Sequence, residues 1–233
     1  MGFLRDSLSI FKKNKLVFKE RRQHSGNVYT FEFEKPEDLN WLPGQHGLFT
    51  VTHKKVKPPT KPFTIASSPK DDVIGLTTKI DGNPSEYKQA LLELEPGMEM
   101  HMSGPVGSFY IGDESSGVFI AGGIGITPFR AILRENDSTA LNPKQSMTLL
   151  YVDGEGTFTY KDELEDIGGQ EGIAVHFMES SENLYKELEL LPRTGAEKYF
   201  IAGPYSMVES VAKHLISTGI PKKNIKKETF IGY

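Results

Sequence analysis

Three closely spaced glycines end a short apolar run. Val118-Phe119-Ile120-Ala121 is followed by Gly122, Gly123 and Gly125, then by Thr127, Pro128 and a helical-looking stretch through Leu133. A strand, a glycine turn and a helix start, in that order, let backbone N–H groups approach a phosphate closely. The helix N-terminus adds a favourable dipole. A second glycine turn, Ala202-Gly203-Pro204, follows the apolar run Tyr199–Ile201, with Met207 three residues on. In an open parallel sheet, ligands sit beyond the carboxyl ends of the strands. The two turns are therefore candidates for one crevice, one holding phosphates and the other flanking a bound ring. The alternative for each is an ordinary tight turn, and their pairing counts against it.

The first half carries a different set: Lys61-Pro62-Phe63-Thr64-Ile65-Ala66-Ser67-Ser68. On a strand, alternation puts Lys61, Phe63 and Ile65 on one face and Pro62, Thr64 and Ala66 on the other. A cation can pair with a phosphate, an aromatic can stack on a ring, and a hydroxyl can bond a ring nitrogen. The plain alternative is a half-buried strand with an exposed lysine. About twenty residues on, Gly82-Asn83-Pro84-Ser85 is a turn that feeds a helix start, a second candidate anion site.

The elements that must position these residues change character along the chain. Up to Gly107, β-rich segments dominate: Lys15–Arg22, Asn27–Glu34, Gly47–His53, Phe63–Ala66, Ile74–Ile80 and Met98–Ser103. One helix is expected over Ser85–Glu93, and Gly104–Gly107 is read as a turn. Several short strands with one helix predict a small antiparallel β-barrel. The rhythm changes near Gly112–Gly117. Beyond it, strands at Val118–Ala121, Met147–Val152, Ile173–Met178, Lys198–Ala202 and Ile225–Phe230 alternate with helices. Those helices are read at Thr127–Glu135, Tyr160–Asp166, Asn183–Leu190 and Ser206–Thr218. Such alternation predicts a mostly parallel sheet with helices on both faces. The expected architecture is thus two-domain, a β-barrel over 1–112 and an α/β domain over 113–233.

Composition excludes several chemistries. The chain has no cysteine, which removes disulfides, thiol nucleophiles and cysteine-ligated zinc or iron–sulfur clusters. A net charge of −4 argues against a nucleic-acid partner. No run of about 18 apolar residues exists to span a membrane, and the first residues lack a signal-peptide apolar region, so a cytoplasmic protein is expected. The six histidines show no metal-ligand spacing.

Taken in order along the chain, these segments resemble the ferredoxin–NADP⁺ reductase superfamily, without a fused iron–sulfur domain. Lys61-Pro62-Phe63-Thr64-Ile65-Ala66-Ser67 is similar to its flavin motif Arg-x-Tyr-Ser-x-x-Ser, and Pro43-Gly44-Gln45 to its Pro-Gly-Gln turn. Gly82-Asn83-Pro84-Ser85 resembles its Gly-x-x-Ser pyrophosphate site, and Gly104-Pro105-Val106-Gly107-Ser108-Phe109 its Gly-Pro-x-Gly-x-Phe. Gly122-Gly123-Ile124-Gly125-Ile126-Thr127-Pro128 is similar to its nicotinamide-nucleotide loop, and Ala202-Gly203-Pro204 with Met207 to its Cys-Gly-Pro-x-x-Met. The ending Glu228-Thr229-Phe230-Ile231-Gly232-Tyr233 resembles Glu-x-Phe-x-Gly-Tyr. The resemblance implies FAD on the barrel, NADH or NADPH on the α/β domain, and hydride transfer to flavin N5 beside Thr64.

The departures from the family pattern sharpen what it implies. Lys61 in place of arginine loses the bidentate fork. Phe63 keeps a stacking face without a hydroxyl, and Thr64 keeps a hydroxyl in place of serine. Ala202 stands where many members have cysteine. After the strand Met147–Val152 come Asp153-Gly154-Glu155-Gly156, with no arginine or lysine before Lys161. A carboxylate there accepts from ribose hydroxyls and repels a 2′-phosphate, so NADH is read as the donor and NADPH as the alternative; a solvated turn is the plain reading of the same residues. In some relatives a C-terminal aromatic stacks over the flavin, a role that falls here on Tyr233 or Phe230. The electron acceptor is expected to be separate: a ferredoxin-like or oxygenase protein docking on the lysines at 12, 13, 15, 54, 55, 57, 222, 223, 226 and 227, or a small acceptor such as free flavin, a ferric chelate or a quinone. A nucleotide-sensing flavoprotein without turnover is the reading of another class.

Overall fold

The computed structural model describes residues 12–112, 116–136, 146–191 and 197–230. The chain divides into two compact units between Tyr110 and Ile111.

The first unit is a six-stranded antiparallel sheet in the order β4-β3-β6-β1-β2-β5. Its strands are β1 (Lys13–Gln23), β2 (Val28–Glu34), β3 (His46–Val51), β4 (Thr60–Thr64), β5 (Val73–Lys79) and β6 (Glu99–Val106). Alternating residues supply the interior, as the two-residue side-chain period requires. Leu16, Phe31, Phe33, Phe49, Met100 and Met102 are fully shielded from solvent, and their neighbours along β1 and β6 face outward. β1 pairs with β6 through Lys13–Val17 and with β2 through Phe18–Gln23, with a register shift between Phe18 and Glu20. That irregularity curls the sheet until its edges meet. They meet at one bridge, Ile65 with Leu76, and at Ala66 N–H donating to Gly75 O at 2.8 Å. The sheet is barrel-like but not closed by a ladder. Helix α1 (Glu86–Leu92) lies against it, with Ser85 Oγ capping Lys88 N–H and Tyr87, Ala90 and Leu91 buried in the core.

Gly104-Pro105 does not form the turn expected from the sequence. β6 continues through it to Val106. The pairing with β3 slips there, with His46 opposite Val106 but Leu48 opposite Ser103. The segment is a bulge: Gly104 adopts φ +103, which an L side chain rarely adopts, and the ladder resumes past it.

The second unit is a five-stranded parallel sheet, β11-β10-β7-β8-β9. It comprises β7 (Ser116–Gly122), β8 (Ser146–Val152), β9 (Ile173–Met178), β10 (Lys198–Pro204) and β11 (Ile225–Phe230). The helices are α2 (Ile126–Glu135), α3 (Lys161–Gly168), α4 (Ser181–Leu190) and α5 (Tyr205–Ser217). Phe119 stacks on Phe129 of α2 at 5.2 Å, so α2 covers the Phe119 face. Leu184 and Leu188 of α4 and Val208, Val211 and Leu215 of α5 pack with Val118, Ile120, Leu150 and Ile201 on the other. From β7 the chain runs outward to β9, then returns to place β10 on the far side of β7. The switch point of the sheet therefore lies between β7 and β10. β10 also runs further than expected: Gly203 and Pro204 still pair with Thr229 and Phe230 of β11, and α5 starts directly after them. Among the described residues no helix is long and apolar enough to cross a membrane.

Candidate functional site

The sequence-predicted residues fall into two groups, one in each unit.

In the second unit, the glycine turn and the Gly203-Pro204 segment lie against each other at the switch point. After β7 the chain makes a single 3₁₀ turn, Gly123–Gly125, and enters α2 at Ile126. Gly125 of the turn is dictated by contact with the β10 backbone, and Gly122 at the end of β7 packs against the Met207 side chain of α5. A Cβ on Gly125 would stand 2.1 Å from Ala202 O, and one on Gly122 would stand 2.2 Å from Met207 Sδ. Gly203, at φ +153, lies with its own Cβ position 3.2 Å from Gly122 Cα. Gly123 is different: at φ +52 its Cβ position meets only Asp153 Oδ2, at 4.0 Å. The Cβ direction of Gly123 is thus open apart from that carboxylate oxygen.

Thr127, Pro128 and Met207 flank this turn. Thr127 is buried and its hydroxyl donates to Ile124 O at 3.2 Å, closing the 3₁₀ turn. Pro128 is buried in the first turn of α2, and Met207 packs beside the core under the sheet. Asp153 closes its own turn. Its Oδ1 accepts from Glu155 N–H at 2.9 Å, Thr157 N–H at 3.4 Å and Thr157 Oγ1 at 3.5 Å, while Oδ2 faces Gly123. Asp153 thus builds its turn and leaves its second carboxylate oxygen beside Gly123.

Glu228 belongs to the C-terminal motif, which by itself gives the side chain no role. It lies on β11 in register with Ala202, and its Oε2 is buried with no hydrogen-bond partner. Burial pushes its carboxyl group up to about 7. The sequence signal is weak, since only the parallel register reveals that this acid stands beside Ala202.

In the first unit, β4 and the start of α1 converge. Lys61 Nζ reaches Ser85 Oγ at 3.5 Å and lies 5.6 Å above the Tyr87 ring. Phe63 stacks on Tyr87 with ring centres 5.7 Å apart and meets Phe49 edge-on. Lys61 and Phe63 thus share a face, as alternation requires, and Pro62 between them is exposed. Tyr87, which no sequence motif singles out, anchors this face: its hydroxyl donates to Phe49 O at 3.0 Å, and burial raises its pKa.

Thr64 is 4% exposed, and its hydroxyl has no hydrogen-bond partner. A buried hydroxyl left without a partner is uncommon and costs on the order of 1–3 kcal/mol. Ser67 is spent differently: its hydroxyl accepts Gly75 N–H at 3.0 Å and its carbonyl accepts Trp41 Nε1–H at 3.1 Å, so it joins β5 to the loop after β4. In the Gly82–Ser85 turn, a Cβ on Gly82 would meet no atom within 4 Å. An orphaned hydroxyl, a stacked aromatic, a lysine and an open glycine turn fit a ligand with a polar ring and a phosphate, as FAD has. Tyr233 lies outside the described residues.

Residues 11–153 match a protein family described as FAD-binding domain, a range that includes both Lys61–Ser67 and the glycine turn. The chain is 24% identical over 229 residues to a component of the Na(+)-translocating NADH-quinone reductase of Neisseria meningitidis, covering 86% of this chain and 56% of that protein. It is 26% identical to NADH-cytochrome b5 reductase 1 of Cryptococcus neoformans, covering 89% of this chain and 78% of that one. The chain thus spans little more than half the length of the first of these relatives. Among solved structures, ferredoxin-NADP+ reductase from Plasmodium falciparum shares the fold with a TM-score of 0.80, 18% identity and coverage of 94% of this chain and 96% of that one.

Proposed function

The chain belongs to the FAD-binding domain family, and from that premise we propose that it is a flavin-dependent NAD(P)H oxidoreductase. In this reading residues 1–112 hold FAD and residues 113–233 hold the nicotinamide nucleotide. Bound FAD supplies the redox chemistry, taking a hydride from the nicotinamide and passing electrons on to an acceptor outside this chain. Lys61 and the Gly82-Asn83-Pro84-Ser85 turn take the FAD diphosphate, Phe63 flanks the ring, and Thr64 Oγ1 bonds the ring nitrogen where the hydride arrives. Gly122, Gly123 and Gly125 take the pyrophosphate of the donor on backbone N–H groups, with Thr127 and Pro128 holding the turn. Gly203 and Pro204 line the ring side of that crevice, and Met207 supports them. Asp153 favours NADH over NADPH, since a carboxylate bonds ribose hydroxyls and repels a 2′-phosphate.

The observation that carries the reading is the buried, unpartnered hydroxyl of Thr64. Thr64→Val keeps the shape and removes the hydroxyl. The apoprotein is then expected to be as stable as the parent or up to about 1 kcal/mol more stable, because an unsatisfied polar group is gone. NADH-dependent flavin reduction is expected to slow by about tenfold or more, the loss of one positioned hydrogen bond. A less stable apoprotein with unchanged reduction contradicts the assignment.

The acceptor is proposed to be a separate ferredoxin-like or oxygenase protein. Lys15, Lys54 and Lys227 pair with Glu99, Glu93 and Glu209, so they belong to surface ion pairs; Lys222 and Lys223 at the β11 edge are exposed. Comparing NADH-dependent reduction of a ferredoxin with that of free flavin separates a protein acceptor from a small one.

A further inference from the structure

Among the described residues, Tyr160 is the one residue other than glycine with a positive φ. At φ +65 it adopts the left-handed conformation, which disfavours any residue with a bulky side chain. It is also the N-cap of α3, and its side chain makes no capping bond. Glycine or asparagine suits both the backbone and the cap better than tyrosine. What those residues lack is the ring. The guanidinium of Arg130 stands over that ring, its central carbon 4.5 Å from the ring centre.

Arg130 belongs to α2, the helix that the glycine turn starts. Its Nε donates to Glu163 Oε2 at 2.9 Å, and Arg134, one turn further, donates from Nη1 to Glu163 Oε1 at 3.2 Å. Glu163 lies in the first turn of α3. The side chains of Arg130 and Glu163 are 16% and 24% exposed, so water and salt screen their pairing less than that of a surface pair. Tyr160 ends the segment that begins at Asp153. The sheet holds the rest of that segment. Asp153 N–H donates to Met178 O at 3.0 Å, Thr159 N–H donates to Tyr151 Oη at 3.2 Å, and Phe158 meets Tyr151 and Phe177 edge-on. The segment has no arginine or lysine of its own before Lys161, and the fold brings Arg130 to it from another element.

We propose that Arg130 and Tyr160 form a clamp that sets affinity for the donor nucleotide. The clamp fixes the Asp153–Tyr160 segment against α2, so that the Asp153 carboxylate and the Gly122–Gly125 turn meet one nucleotide in a constant geometry. The inference rests on the nucleotide-binding reading above. Arg130 and Tyr160 are positioning residues, acting through Asp153 and the glycine turn. The left-handed backbone at Tyr160 is retained because the ring, which glycine cannot supply, carries the contact to Arg130.

The test is steady-state flavin reduction of the FAD-loaded full chain by NADH and by NADPH, beside urea unfolding of the same variants. Tyr160→Gly removes the ring and suits the backbone. Its urea midpoint is expected to equal or exceed the parent's. Its KM for NADH is expected to rise by about fivefold or more with kcat held, the scale of one lost cation–ring contact. The NADH-to-NADPH ratio of kcat/KM is expected to narrow as Asp153 loses its fixed place. Arg130→Met removes the charge and is expected to raise KM by a similar factor. Combined with Tyr160→Gly it is expected to add little, since both act through one contact. Tyr160→Phe keeps the ring and is expected to stay near the parent. An unchanged KM in Tyr160→Gly overturns the proposal, as do additive effects in the double variant. A rise in KM matched by a lower urea midpoint also overturns it, because that marks damage to the fold. If neither nucleotide reduces the parent protein, the nucleotide-binding reading itself fails, an outcome distinct from these.

Discussion

Glu228 brings a buried carboxyl group into register with Ala202 on β10, and its titration gives a prediction with a definite sign. The folded-state value, about 7, lies above the ordinary 4.5, so the folded protein favours the neutral acid. That contribution is fully present below the unfolded value and is lost as pH rises through about 7. Glu228→Gln removes the titration. The variant is expected to match the parent at about pH 4 and to exceed it well above pH 7, by at most about 3 kcal/mol, read from urea midpoints across pH. Parallel curves contradict it. At Asp153, substitution by Asn keeps the Oδ1 acceptor that closes the turn and removes the charge. It is expected to shift the NADH-to-NADPH ratio of kcat/KM toward NADPH by about fivefold to tenfold, roughly 1–1.4 kcal/mol, with stability little changed. The shared face of Lys61 and Phe63 was legible, because strand alternation names it. The burial of Glu228 was not, because it comes from a strand neighbour distant in sequence.

At the scale of elements, the glycines separate by what surrounds them. Gly125 is fixed by packing: a Cβ there collides with the Ala202 carbonyl, which is backbone and cannot move aside cheaply. Gly125→Ala is therefore expected to destabilise the protein by about 3 kcal/mol or more, seen as a lower urea midpoint. Gly82→Ala meets open space and is expected to leave apoprotein stability unchanged or raised by up to about 1 kcal/mol, while FAD affinity falls. A stability loss at Gly82 equal to that at Gly125 contradicts a ligand-facing turn. Strand and helix positions were legible from the two-residue and 3.6-residue periods. The misreadings came at Gly104-Pro105 and Gly203-Pro204, where residues that punctuate turns sit inside ladders. Local composition marked a break at both places, and strand pairing with β3 and β11 carried the chain through.

For the whole molecule, the proposed function gives FAD to the first compact unit and the nicotinamide nucleotide to the second. FAD at about a hundred times its dissociation constant is expected to stabilise the protein by about 2.7 kcal/mol. Hydrogen-exchange protection from FAD should concentrate on β4 and the turn into α1. Protection from a reduced nicotinamide nucleotide should fall on residues 122–130 and on the end of β10. Protection in the reverse pattern contradicts the assignment of the units. The division into a β-rich and an α/β half was legible from the change in rhythm near residue 112, while the meeting of the glycine turn with Ala202 and Gly203 required the strand order. The most direct test is anaerobic: NADH is added to the FAD-loaded protein and the oxidised-flavin absorbance band is followed. Rapid bleaching by NADH and slower bleaching by NADPH are the expected results. A band that persists under saturating amounts of both contradicts the proposed function.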